Sequence, residues 1–135
     1  MTKQKKTLLK KQNNEIELTQ FSTSDIKTQM MGYEIKTHGG KIIFIDSGTK
    51  SDTNKLIEKI KKDGGKVDYW FITHPHHDHA EAFCDIVENT DIPIKKIYIS
   101  LNELEWYEKN CEPHRIEFLH RLYNVIKTSR IKDNI

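Results

Sequence analysis

One stretch constrains this chain more than any other. Val67-Asp68-Tyr69-Trp70-Phe71-Ile72-Thr73 runs straight into His74-Pro75-His76-His77-Asp78-His79, and Ala80-Glu81-Ala82-Phe83 follows. The first seven residues are rich in β-branched and aromatic side chains, the composition of a buried strand. Four histidines and an aspartate then crowd into six positions at its end. Placing so many ligand-type side chains where a buried strand stops costs solvation unless something uses them, so the stretch predicts a functional site. The plain alternative is a polar loop of accidental composition.

Spacing sorts the candidate ligands. While the chain stays extended, side chains two apart share a side, so His74 and His76 reach one ion and His77 faces away. Asp78 and His79 are neighbours and serve a second ion only if the backbone turns there, as on entering a helix at Asp78. The residues that follow favour that helix. Imidazole nitrogens and a carboxylate, with no cysteine among them, suit zinc first and iron or manganese after it. Two ions about 3.5–4 Å apart can share a bridging water, lower its pKa and polarise a carbonyl or phosphoryl oxygen. Hydrolysis is the expected chemistry.

His74-x-His76-x-Asp78-His79 after a hydrophobic strand resembles the ligand motif of the metallo-β-lactamase superfamily. Upstream, Gly32-Tyr33-Glu34-Ile35 and Gly40-Lys41-Ile42-Ile43-Phe44-Ile45-Asp46-Ser47-Gly48 are similar to that family's opening strands and the Asp-x-Gly turn closing them. The resemblance spans residues 15–100. It implies a metal-dependent hydrolase with a two-metal site, most often zinc, and a metal-activated water. By position it puts His74 and His76 on the first metal and Asp78 and His79 on the second. Asp78 also takes the catalytic task of holding the attacking water. Asp46 becomes a carboxylate that orients the metal loop; from the residues alone it is equally an Asx-type turn, and both readings can hold together.

Two departures from the family pattern stand out. Ala80, Glu81 and Ala82 occupy positions where the family has small glycines. The histidine, bridging aspartate and last histidine that complete the family's site from downstream strands have no counterpart here. His114 and His120 lie in a helical pattern and are expected to be surface or capping residues, and His38 to be solvated in a turn. The family's αββα sandwich has two similar halves. This chain is therefore expected to be the first half: an α/β domain over residues 15–135 with a mixed sheet and outer helices, C-terminally incomplete, since Ser129 to Ile135 offers no closing element.

The opening strands and Thr73-His74-Pro75-His76 look most like the competence-protein-related hydrolases, which implies phosphodiester or nucleic-acid substrates rather than β-lactams. A second reading is a truncated or non-catalytic module for metal binding or interaction, completed by a second copy or a missing half. A third is a nucleic-acid-binding protein that uses its basic tail.

Composition bounds these readings. The chain has 135 residues, enough for one domain that buries roughly two-thirds of its unfolded surface. A net charge of +2 gives no global basic field of the kind that announces nucleic-acid binding. Two cysteines, Cys84 and Cys111, are too few for a disulfide scaffold and lie outside the ligand spacing. Reduced thiols, no signal-peptide pattern and no stretch of membrane-spanning length together predict a cytoplasmic protein. Residues 1–14 carry Lys3, Lys5, Lys6, Lys10 and Lys11 around Leu8 and Leu9 and are expected to form a flexible basic tail.

Periodicity supplies the remaining elements. Alternation over Glu15 to Phe21 predicts a strand with one buried face. Strands over Met31 to Thr37 and Lys41 to Asp46 flank the His38-Gly39-Gly40 turn, and continuous Ile42-Ile43-Phe44-Ile45 predicts burial on both faces. Ser51 or Asp52 caps a helix with Leu56, Ile57 and Ile60 on one face, ended by Gly64-Gly65. Ala80, Phe83, Cys84 and Val87 have helical spacing and are expected in the core. Lys96 to Ser100 is a strand, Asn102 to Lys109 a short helix with Trp106 and Tyr107, and Glu112-Pro113 opens a longer helix through Lys127. Ile116, Leu119, Leu122, Tyr123 and Ile126 form that helix's apolar face.

Overall fold

The computed structural model describes residues 15–135, so the expected tail over 1–14 lies outside the described residues. Five strands form one sheet in chain order: β1 (Glu17–Gln20), β2 (Gly32–Lys36), β3 (Ile42–Asp46), β4 (Val67–Ile72) and β5 (Ile94–Ile99). β1, β2 and β3 are antiparallel neighbours, whereas β4 runs parallel to both β3 and β5. Parallel neighbours need a crossover, and α1 (Thr53–Lys62) and α2 (His77–Asn89) provide the two. α3 (Leu104–Asn110) and α4 (Pro113–Thr128) follow β5. The result is the expected mixed α/β sheet.

The core lies between the sheet and one layer of helices. Ile42, Phe44, Trp70 and Ile97 of the strands meet Leu56 and Ile60 of α1, Phe83 and Ile86 of α2, and Leu122 of α4. At its centre the Trp70 ring sits 5.1 Å from Phe44 and 5.1 Å, edge-on, from Phe83. Each such side chain contributes about 1.5–3 kcal/mol by leaving water. Beneath α1, buried Glu34 meets Lys59 Nζ at 3.1 Å, which ties the helix to β2. As the apolar spacing predicts, Ala80, Phe83, Cys84 and Val87 are all buried on α2. Gly65 ends α1 at φ +75 and donates its N–H to Ile60 O at 2.8 Å.

Two expectations need correction. Ile42 and Phe44 are fully buried, but Ile43 and Ile45 point to the opposite face and are only half-buried. Leu18 of β1 is likewise 65% exposed, and the buried aromatic of that region is Phe21, just past the strand. Both errors have one cause: the helices cover a single face of the sheet. On the other face, Leu18, Ile35, Ile43 and Tyr69 align in one cross-strand row, and Tyr33, Ile45, Phe71 and Tyr98 in the next. There the Phe71 and Tyr98 rings stack at 4.8 Å.

Residues 129–135, in which the sequence offers no closing element, pack against the sheet. Ile131 is fully buried, and Ile97 N–H donates to Asn134 O at 2.8 Å. Asn134 Nδ2 donates to Ile94 O at 2.6 Å. Among the described residues no helix is long and apolar enough to cross a membrane.

Candidate metal centre

β3 and β4 are paired through Ile45 and Phe71, so their carboxyl ends, Asp46 and Thr73, emerge side by side. Ligand sites of α/β sheets form outside such strand ends. Asp46 has φ +56, unusual for a residue with a Cβ, and Gly48 follows at φ +79. A Cβ at Gly48 would lie 2.6 Å from Asp52 Oδ2, so only glycine fits. This bend delivers Ser47 to α2: its hydroxyl donates to His79 O at 2.9 Å and accepts from Phe83 N–H at 3.0 Å. Ala82 N–H donates to Gly48 O at 3.2 Å, and Glu81 Oε2 accepts from Lys50 N–H at 2.8 Å. Glu81 and Ala82 thereby clamp the first turn of α2 against the bend. The helix opens at His77, one residue before the expected Asp78, and Asp78 lies in its first turn, where a carboxylate is favoured.

The hydrogen bonds of Asp46 organise the ligands. Oδ1 accepts from Thr73 N–H at 2.8 Å, and Oδ2 accepts from Thr73 Oγ1 at 2.7 Å and from His79 Nδ1 at 2.9 Å. A carboxylate only accepts, so Nδ1 of His79 carries a proton, and in that tautomer Nε2 keeps its lone pair. That lone pair faces Asp78 Oδ2 at 3.6 Å. Two acceptors thus front one gap, which a proton or a cation satisfies. Since Thr73 spends its hydroxyl proton on Asp46, it accepts from His74 Nδ1–H at 3.0 Å, which likewise leaves Nε2 of His74 open. Both rings are held by partners behind them with Nε2 turned forward, the usual arrangement for metal-ligating imidazoles.

The predicted ligands come together. The His74 ring lies 3.6 Å from His79 and 4.7 Å from His76, with His76 and His79 6.5 Å apart, centroid to centroid. His76 Nε2 is engaged: it accepts from Arg115 Nη1 of α4 at 3.2 Å. Partial burial of its ring, then its neighbours His74 and Arg115, push the His76 pKa below the ordinary value. The donor chemistry therefore fits a divalent ion, whereas the donor number does not reach a full site. Among the described residues no group of three His, Cys, Asp or Glu side chains is placed to hold one ion.

His77 is exposed at the start of α2, away from the ring cluster. His120 pairs with Glu108 at 2.9 Å, and exposed His114 lies 3.5 Å from Glu112; neither joins the cluster. Thr73 and Arg115 are additional to the expected set. Thr73 adjoins the motif and has a hydroxyl where a strand exits toward a ligand loop, a signal that could have been used. Arg115, on a helix 39 residues from His76, offers none. Beside the loop, between His76, His77 and Asp78 on one wall and α3 and α4 on the other, lies a cleft of about 620 Å³.

No curated protein sequence matches the chain significantly. The profile of the family described as the metallo-beta-lactamase superfamily matches residues 33–134, which takes in β2 after its first residue, β3 through β5, all four helices and the whole ligand loop. A mixed sheet layered with helices, an Asp46 turn bonded to the loop and the His74-x-His76-x-Asp78-His79 cluster accord with that match: this chain belongs to the metallo-beta-lactamase superfamily.

Proposed function

We propose that the chain carries the first ligand set of a metal-dependent hydrolase, with His74, His76, Asp78 and His79 as ligands and Asp78 also holding the attacking water. The observation that carries this reading is the Asp46–His79 bond, which turns the His79 lone pair toward Asp78. Behind it, Thr73 orients His74 in the same sense. When bound, a divalent ion, zinc before iron or manganese, supplies Lewis acidity that lowers the pKa of a water and polarises an ester oxygen. The chain's own residues do the rest. Asp46 and Thr73 fix ring orientation and tautomer, and Asp78 is the carboxylate that faces Nε2 of His79. Phosphodiesters, including nucleic acid, are the substrate class we favour, in line with the competence-protein-like character of the loop.

A second reading, a metal-binding or interaction module without catalysis, draws on the incomplete donor number. Hydrolysis of bis-p-nitrophenyl phosphate separates the two. The hydrolase reading expects turnover that is lost on chelation, regained with zinc or manganese, and abolished in His79→Ala. Zinc uptake without metal-dependent turnover would favour the module.

A further inference from the structure

We propose that the cleft beside the ligand loop is a binding pocket for an organic phosphate of nucleotide size, with Arg115 and Lys27 holding the phosphate and Phe118 and Tyr107 taking the planar, apolar part. At about 620 Å³ it falls within the range of small-molecule sites. Its walls are unequal in charge. Lys27 and Arg115 line it with His76, His77 and His114, and Asp78 is the one carboxylate among the lining residues.

Neither cation is spent elsewhere. Among the described residues, Arg115 has no carboxylate nearer than Glu112 at 3.9 Å, a loose pair in which Glu112 is 70% exposed. Its Nη1 donates to the neutral His76 ring, a weak use of a guanidinium whose planar fork matches two oxygens of a phosphate. The ammonium of Lys27 makes no ion pair among the described residues. Lys27 lies in the segment between β1 and β2, which is held at the cleft's edge: Met31 N–H donates to Asp78 O at 3.4 Å, and Thr23 and Thr28 hydroxyls bond at 2.9 Å. On the far wall, half-buried Phe118 and buried Tyr107 present the apolar surface on which a base or similar ring can lie.

The pocket's role as a substrate site rests on the hydrolase reading, because it opens against His76 and Asp78. Its affinity for phosphate does not. The test is therefore calorimetric titration of the full chain, freed of metal and dialysed, with adenosine monophosphate and with adenosine. The nucleotide is expected to bind at least roughly ten-fold tighter than the nucleoside, with the difference shrinking as salt rises. Arg115→Ala combined with Lys27→Ala removes that difference while leaving adenosine binding and thermal stability unchanged. Arg115→Lys retains part of it, and Lys95→Ala, at an exposed position of β5, leaves it intact. Equal binding of the two probes, no binding of either, or a preference that survives the double variant would overturn the proposal. Phosphate binding with no metal-dependent turnover would leave the pocket standing and count against the hydrolase. Turnover with no nucleotide preference would do the reverse.

Discussion

Asp46 Oδ2 and His79 Nδ1, 33 residues apart in the chain, are bonded at 2.9 Å, and this bond joins the end of β3 to the first turn of α2. It sets which nitrogen of His79 carries a proton. The same carboxylate holds both the backbone and the hydroxyl of Thr73, so one side chain determines the orientation of the loop on either side of the histidine cluster.

Asp46→Asn tests that relationship with little change of shape, because asparagine also tolerates positive φ. Its single acceptor oxygen can keep Thr73 N–H, but its amide then faces His79 Nδ1 as a donor. The His79 proton is expected to move to Nε2, the side facing Asp78. Zinc affinity should fall about 10–100-fold, and nitrogen-15 spectra of the imidazoles should report the opposite tautomer. Unchanged affinity and tautomer would mean that Asp46 only shapes the turn.

Asp68 gives the fold an acid sensitivity of defined sign. Burial alone would raise its carboxyl, but the Ile42 N–H at 2.9 Å, then the Lys66 and Lys41 ammoniums, outweigh it and hold the pKa below the usual carboxylate range. A group depressed in the folded state contributes stability that is fully present above its unfolded pKa of about 3.9 and is lost as pH falls through the folded value. In urea titrations, Asp68→Asn should cost about 1–3 kcal/mol at pH 7, with the gap to the parent closing below about pH 4. A gap independent of pH would contradict this.

The two cysteines should differ in reactivity. Burial in the core pushes the Cys84 thiol up to about 12, whereas Cys111 is half-buried beside the cleft. A thiol reagent at pH 8 is expected to modify Cys111 alone in the native chain and both after unfolding. Rapid native modification of Cys84 would mean that the packing of α2 opens far more readily than its burial implies.

Much of this was legible locally. The strand from Val67, the break at His74 and the helix after it follow from side-chain type over a short window, and the ligand cluster lies inside that window. Asp46 was legible as a turn residue and as a partner for the loop. What escaped was non-local. Arg115 reaches His76 from another helix, and no spacing announces it. The run Ile42-Ile43-Phe44-Ile45 suggested two buried faces because an apolar side chain does not encode whether a second layer lies over it. Leu18 misled for the same reason.

Metal content per chain is the most direct measure of the central claim. Protein purified without chelator or affinity-tag metal should contain zinc, or iron or manganese, by elemental analysis. His74→Ala, His76→Ala and His79→Ala should each lower that content sharply, whereas His120→Ala, whose ring pairs with Glu108, should leave it unchanged. Metal-free parent protein that takes up no zinc on titration, or equal losses in His76→Ala and His120→Ala, would contradict the assignment of the histidine cluster as a metal centre.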